Sequence, residues 1–97
     1  MQKRTVRPGR PAGTTSYEAE PAAAFGMAVR AARMKKGLAQ DEFAVLAGVD
    51  RSHMGKIERG THMPTLAMIL RIAGALDVSS ADLMAATESI LRASSKS

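Results

Sequence analysis

Between Arg51 and Arg59 the chain reads RSHMGKIER. Wound at about 100° per residue, Met54 and Ile57 turn to one side of a helix, while Arg51, Ser52, His53 and Lys56 lie mostly on the other, toward the helix start. A guanidinium, a hydroxyl, an imidazole and an ammonium are hydrogen-bond donors at neutral pH, and two of them carry fixed positive charge. Such a face suits gripping an anion or reading hydrogen-bonding edges. Bond-making chemistry has no comparable footing. The sequence holds no acid and base paired at helical spacing, no cysteine and no glycine-rich phosphate loop. His53 and His62 stand nine residues apart with no companion ligand at metal spacing. The expectation is a binding protein with no catalytic residues, no metal and no cofactor.

The donor-bearing helix must be held at a fixed angle, and the preceding residues supply the means. In QDEFAVLAGVDRSHMGKI, with Gln40 as position one, Ala44 falls at position five, Gly48 at nine, Met54 at fifteen and Ile57 at eighteen. This is the spacing of two short helices joined by a tight turn, in which position five is small because the second helix crosses it and position nine takes a left-handed backbone. Phe43, Ala47, Val49, Met54 and Ile57 form the apolar faces between the two. Asp50 is placed to cap the second helix, and Gly60 ends it. Gly55, mid-helix, lets the helix approach a wall closely, whether that wall is protein or a ligand.

Other elements flank this pair. A helix from about Pro21 to Lys36 buries Phe25, Val29 and Ala32 and stops at Gly37, after which Leu38 tucks back. Met27 and Met34 fall on its opposite side. Ala39 is a poor cap for the helix that starts at Gln40. Thr65 caps a helix to about Leu76 with two apolar arcs, Leu66, Ile69, Leu70, Ala73 and Leu76 on one, Met68, Ile72 and Ala75 on the other. A helix apolar on nearly all sides wants cover on nearly all sides, so the second arc is expected to meet another copy of the chain. Ser79 caps a last helix to about Arg92, whose apolar stripe includes Met84, Ile90 and Leu91; Met68, Ile72, Ala75, Met84, Ile90 and Leu91 are the expected dimer interface.

A length of 97 residues implies one domain, and three aromatics against many Ala, Leu, Ile and Met favour small-residue helix packing. The net charge of +5 fits a polyanion partner. Lys3, Arg4, Arg7 and Arg10 precede an apolar run as in an export signal, but Glu18, Glu20, Pro21 and Gly26 interrupt that pattern, and no stretch is long enough to span a bilayer. The expected organisation is a flexible basic arm over residues 1–19, a helical domain over 20–92 and a frayed tail over 93–97, in a cytoplasmic protein.

From about Phe25 to Met84 the sequence resembles the Xre/Cro, lambda-repressor-like family of bacterial and phage DNA-binding domains. The resemblance rests on VRAARMKKGLAQDEFA, on AGVDRSHMGKIERG with its KIERG block, and on PTLAMILRIAGALDVSSADLM. It implies an all-α, five-helix bundle around a helix-turn-helix, mostly dimeric, that regulates transcription from double-stranded DNA; the short form resembles phage-type regulators and restriction–modification controller proteins. By the same resemblance Gln40 contacts a DNA phosphate, Arg51, Ser52 and Lys56 face the bases, Arg59 lies near the backbone, and Arg33 and Glu58 form a partly buried ion pair. Ala39 departs from the hydroxyl cap usual in the family. His53 touches phosphate or is simply solvated. Arg7 and Arg10, in a Gly-Arg-Pro setting similar to an AT-hook, contact the DNA backbone, enter a minor groove or remain a solvated tail. The expected function is a sequence-specific transcriptional regulator working as a homodimer on a palindromic operator. The alternative is an antitoxin-type protein that binds DNA and also masks a protein partner through the Met27/Met34 face or the last helix.

Overall fold

Proline in a first turn, left-handed residues at the ends and apolar residues at helical spacing divide the chain into five helices. The computed structural model describes residues 18–95. In order they form α1 (Ala19–Lys36), α2 (Gln40–Ala47), α3 (Arg51–Arg59), α4 (Leu66–Leu76) and α5 (Ser80–Ser95), with no strand among the described residues. The fold class is the expected all-α bundle. Helix α1 starts two residues before Pro21, and α5 runs past Arg92 to Ser95. Arm residues Lys3, Arg4, Arg7 and Arg10 lie outside the described residues.

The first four helices end alike. The residue after each takes a left-handed conformation: Gly37, Gly48, Gly60 and, unusually, Asp77 at φ 59°. In each case the next residue's N–H reaches back to the carbonyl five positions earlier, as Leu38 does to Arg33 at 3.2 Å and Val49 to Ala44 at 2.9 Å. Starts are less uniform. Thr65 Oγ1 accepts from Met68 N at 3.1 Å, and Ser79 Oγ from Asp82 N at 2.9 Å. The Asp50 side chain makes no cap bond, contrary to its expected role; only its carbonyl is used, accepting from Met54 N at 2.9 Å.

One core joins all five helices: Phe25 and Val29 of α1, Phe43 and Ala44 of α2, Met54 and Ile57 of α3, Ile72 and Leu76 of α4, and Leu83 of α5. Helix α1 is central and packs chiefly on α5 and α3. Its approach to α3 is backbone on backbone. A side chain at Gly26 would strike the carbonyl oxygens of Ile57 and Glu58, the latter 2.6 Å from where a Cβ would sit.

The face assigned to α4 needs correction. Ile72 is 0% exposed and belongs to the core, so it is not at a dimer interface. Met68 and Ala75 are half-buried and pack against the same core, as does Ile90 of α5. The arc taken as core-facing splits instead. Ala73 and Leu76 are buried, but Leu66 and Leu70 are 73% and 53% exposed. The inward direction of α4 lies between the two arcs, through Ile69, Ile72 and Leu76; the outward side carries Leu66, Ala67, Leu70, Arg71 and Gly74. Met84 is exposed and Leu91 half-buried.

Candidate nucleic-acid interface

Helix α3 is held by its apolar side. Met54 and Ile57 are fully buried, and Gly48, at φ 69°, turns the chain from α2 into α3 in a conformation a side chain would strain. This anchoring leaves Arg51, Ser52, Lys56 and Arg59 exposed on one continuous strip, with buried Gly55 between them. Among the described residues none of these four side chains forms a hydrogen bond or an ion pair. The strip is cationic, donor-rich and rigidly mounted on a helix of nine residues.

His53 does not share that strip. Its position in the helical turn takes it past Lys56 toward the body, where it is half-buried and its ring meets that of His62 edge to face, with centroids 4.3 Å apart. Its Nε2 is buried without a hydrogen-bond partner. A solvated or phosphate-facing His53 is therefore not what the geometry gives. His62 has its pKa lowered, first by partial burial and then by His53 and Lys56 nearby. Two imidazoles nine residues apart in sequence meet because the loop after α3 folds back, which neither spacing nor helical period reveals. Among the described residues no third His, Asp or Glu joins them in a metal-binding group.

A second cluster ties the strip to the body. Glu58, 7% exposed, accepts from Arg33 Nε at 2.7 Å on Oε2 and from Arg33 Nη2 at 3.0 Å on Oε1. Arg33 Nη1 also donates to the carbonyl of Leu38 at 2.9 Å, so one guanidinium joins α1, the end of α3 and the linker before α2. The hydrogen-bonded Glu58 carboxylate raises the Arg33 pKa against the opposing effect of burial. Gln40 Nε2 then donates to Glu58 Oε1 at 3.0 Å. The family resemblance, which implies a phosphate contact for Gln40, carries no sign of this bond.

Comparison with known proteins agrees with this geometry. Residues 29–83, more than half of the chain, match the family model described as Helix-turn-helix. The chain is 39% identical over 59 residues to the uncharacterized HTH-type transcriptional regulator YazB of Bacillus subtilis, covering 61% of this chain and 86% of that protein. It is similar to the restriction-modification controller protein C.AhdI of Aeromonas hydrophila, with 43% identity and a TM-score of 0.62 over 63% of this chain and 92% of that one. The controller protein C.Esp1396I, at 22% identity, shares the fold alone, with a TM-score of 0.71 over 76% of this chain and 97% of that one. No helix among the described residues is long and apolar enough to cross a membrane. With the matched region spanning α2, the turn, α3 and the helices that brace them, the chain belongs to the Xre/Cro-type helix-turn-helix family of DNA-binding transcription regulators.

Proposed function

We propose that this protein recognises a particular sequence of double-stranded DNA through α3 and acts as a homodimer on a palindromic operator in the cytoplasm, as a binding protein and not a catalyst. The observation that carries the reading is the exposed strip of Arg51, Ser52, Lys56 and Arg59 opposite the fully buried Met54 and Ile57. The major groove is wide enough to admit one helix. With the start of α3 in the groove, Arg51 can donate two parallel bonds to guanine O6 and N7, Lys56, a little over one turn on, reaches a guanine or a phosphate, and short Ser52 tolerates several bases. Backbone contacts from α2 and Arg59 add affinity and salt sensitivity without sequence choice. C.Esp1396I, which shares the fold, was crystallised as a tetramer in complex with its natural 35 base-pair operator. None of the relatives named above is described as an antitoxin.

Selection of bound duplexes from a random pool tests the reading. An inverted repeat should emerge, with half-sites about one helical turn apart. Arg51→Ala should relax the choice at one position of each half-site, a loss of roughly 1–3 kcal/mol of discrimination. Recovery of no enriched sequence, or an Arg51→Ala chain with unaltered choice, would overturn it.

A further inference from the structure

Gly55 lies on the exposed strip yet is buried, and what covers it is polar. Where its Cβ would be, Arg59 Nη1 is 3.0 Å away, Arg59 Cζ 3.8 Å and Gln40 Oε1 3.7 Å. The arginine follows Gly55 by four residues, and a long helical side chain leans back toward the helix start, so the missing side chain leaves the seat its guanidinium occupies. The orientation of the Gln40 amide is fixed by chemistry. Glu58, ion-paired with Arg33, accepts from Nε2, so the carbonyl Oε1 is turned to the space over Gly55, 3.7 Å from where its Cβ would be, a space it shares with Arg59 Nη1 without a hydrogen bond between the two.

The result is an alternating run of donors and acceptors from the interior to the surface. Arg33 donates to Glu58, Glu58 accepts from Gln40, and Gln40 presents its acceptor beside the Arg59 donors. We propose that Gln40 and Gly55 are positioning residues for Arg59, whose seated guanidinium is a ligand for a DNA backbone phosphate beside the recognition strip. Gln40 acts through Arg59 and not by holding a phosphate itself. This rests on the DNA-binding reading above. Its physical content is pre-organisation: an arginine already seated gives up less side-chain freedom on contact than one free in solvent.

The test is a set of variants titrated, across a salt series, against a duplex recovered by selection and against an unrelated duplex of equal length. Gly55→Ala places a methyl group 3.0 Å from Arg59 Nη1 and crowds the guanidinium out of its seat. It should melt at or above the wild-type temperature, because alanine is the better helix former and the crowded atom ends a flexible side chain. Affinity should fall about tenfold on both duplexes alike, and the slope of log K against log salt should lessen by about one. In a cycle, Gln40→Ala and Arg59→Ala should each weaken binding, and the double variant should be no worse than Arg59→Ala alone.

Wild-type affinity and salt slope in Gly55→Ala would overturn the proposal. So would additive losses for Gln40 and Arg59, which would return the phosphate to Gln40. A loss confined to the selected duplex would place Arg59 on a base edge, which also overturns it. If Gly55→Ala does not fold, the cycle alone decides, since Arg59 is exposed and its removal leaves the core intact. Wild-type protein that bound neither duplex at low salt would refute the preceding section's reading, an outcome distinct from any of these.

Discussion

A single carboxylate, Glu58, accepts three hydrogen bonds from two side chains, and almost none of it reaches water. Removing Arg33 would leave that charge buried with only an amide for company. Breaking such a pair typically costs 3–5 kcal/mol, and because Arg33 keeps some exposure Arg33→Ala should cost roughly 3 kcal/mol. In a domain of this size that lowers the melting temperature by about 12–24 °C, which a thermal melt by circular dichroism will show. An unchanged melting temperature would refute the pair's structural role. Arg33 titrates above its ordinary value, so its share of this stability is fully present below that value and is lost only as the pH rises beyond it, well outside ordinary buffers. The Arg33–Glu58 partnership was legible through family resemblance. Its extension to Gln40 was not, since it depends on two side-chain rotamers across 18 residues of chain. The meeting of His53 and His62 was hidden because it depends on the path of the loop after α3.

At the scale of elements, the turn chemistry was legible almost to the residue. Gly37, Gly48 and Gly60 each stand where a helix stops, and Thr65 and Ser79 each accept the expected backbone bond. What periodicity could not decide was the direction of α4. Leu66, Met68, Ile69, Leu70, Ile72, Ala73, Ala75 and Leu76 leave so few polar markers that two opposite faces fit the pattern, and only packing against α2, α1 and α5 selects between them. The weak cap on α2 offers a test at this scale. Ala39 has the extended backbone of a cap but no side-chain acceptor, and only the reverse half of a capping box forms, with Ala39 N donating to Glu42 Oε1 at 3.4 Å. Ala39→Ser should add roughly 1 kcal/mol, read as a higher urea midpoint with an unchanged m-value. No gain would mean that the N–H of Glu42 keeps its present acceptor, Asp41 Oδ1 at 3.1 Å, instead of turning to the hydroxyl.

For the whole molecule, the corrected orientation of α4 moves the surface on which a second copy can pack. Leu66 and Leu70 lie one turn apart on the outer side, with Gly74 in open space one turn further. If two chains assemble through this side, Leu66→Glu combined with Leu70→Glu should convert a dimer to a monomer in sedimentation velocity while leaving the helical content of each chain intact. A variant that still sedimented as a dimer would place the contact elsewhere, with Met84 and Leu91 of α5 next in line.

The bare crossing of α1 over α3 at Gly26 has a mechanical corollary. With no side chain between the two backbones there is no compressible padding at this crossing, so van der Waals contact of main-chain atoms limits the tilt of α3 against the body, alongside the buried Met54 and Ile57. Nine residues at about 1.5 Å each make a lever of roughly 13 Å, and a pivot error of about 10° would swing its far end by some 2 Å, enough to take a donor out of register with a base edge. Aim, in this molecule, is enforced from the rear.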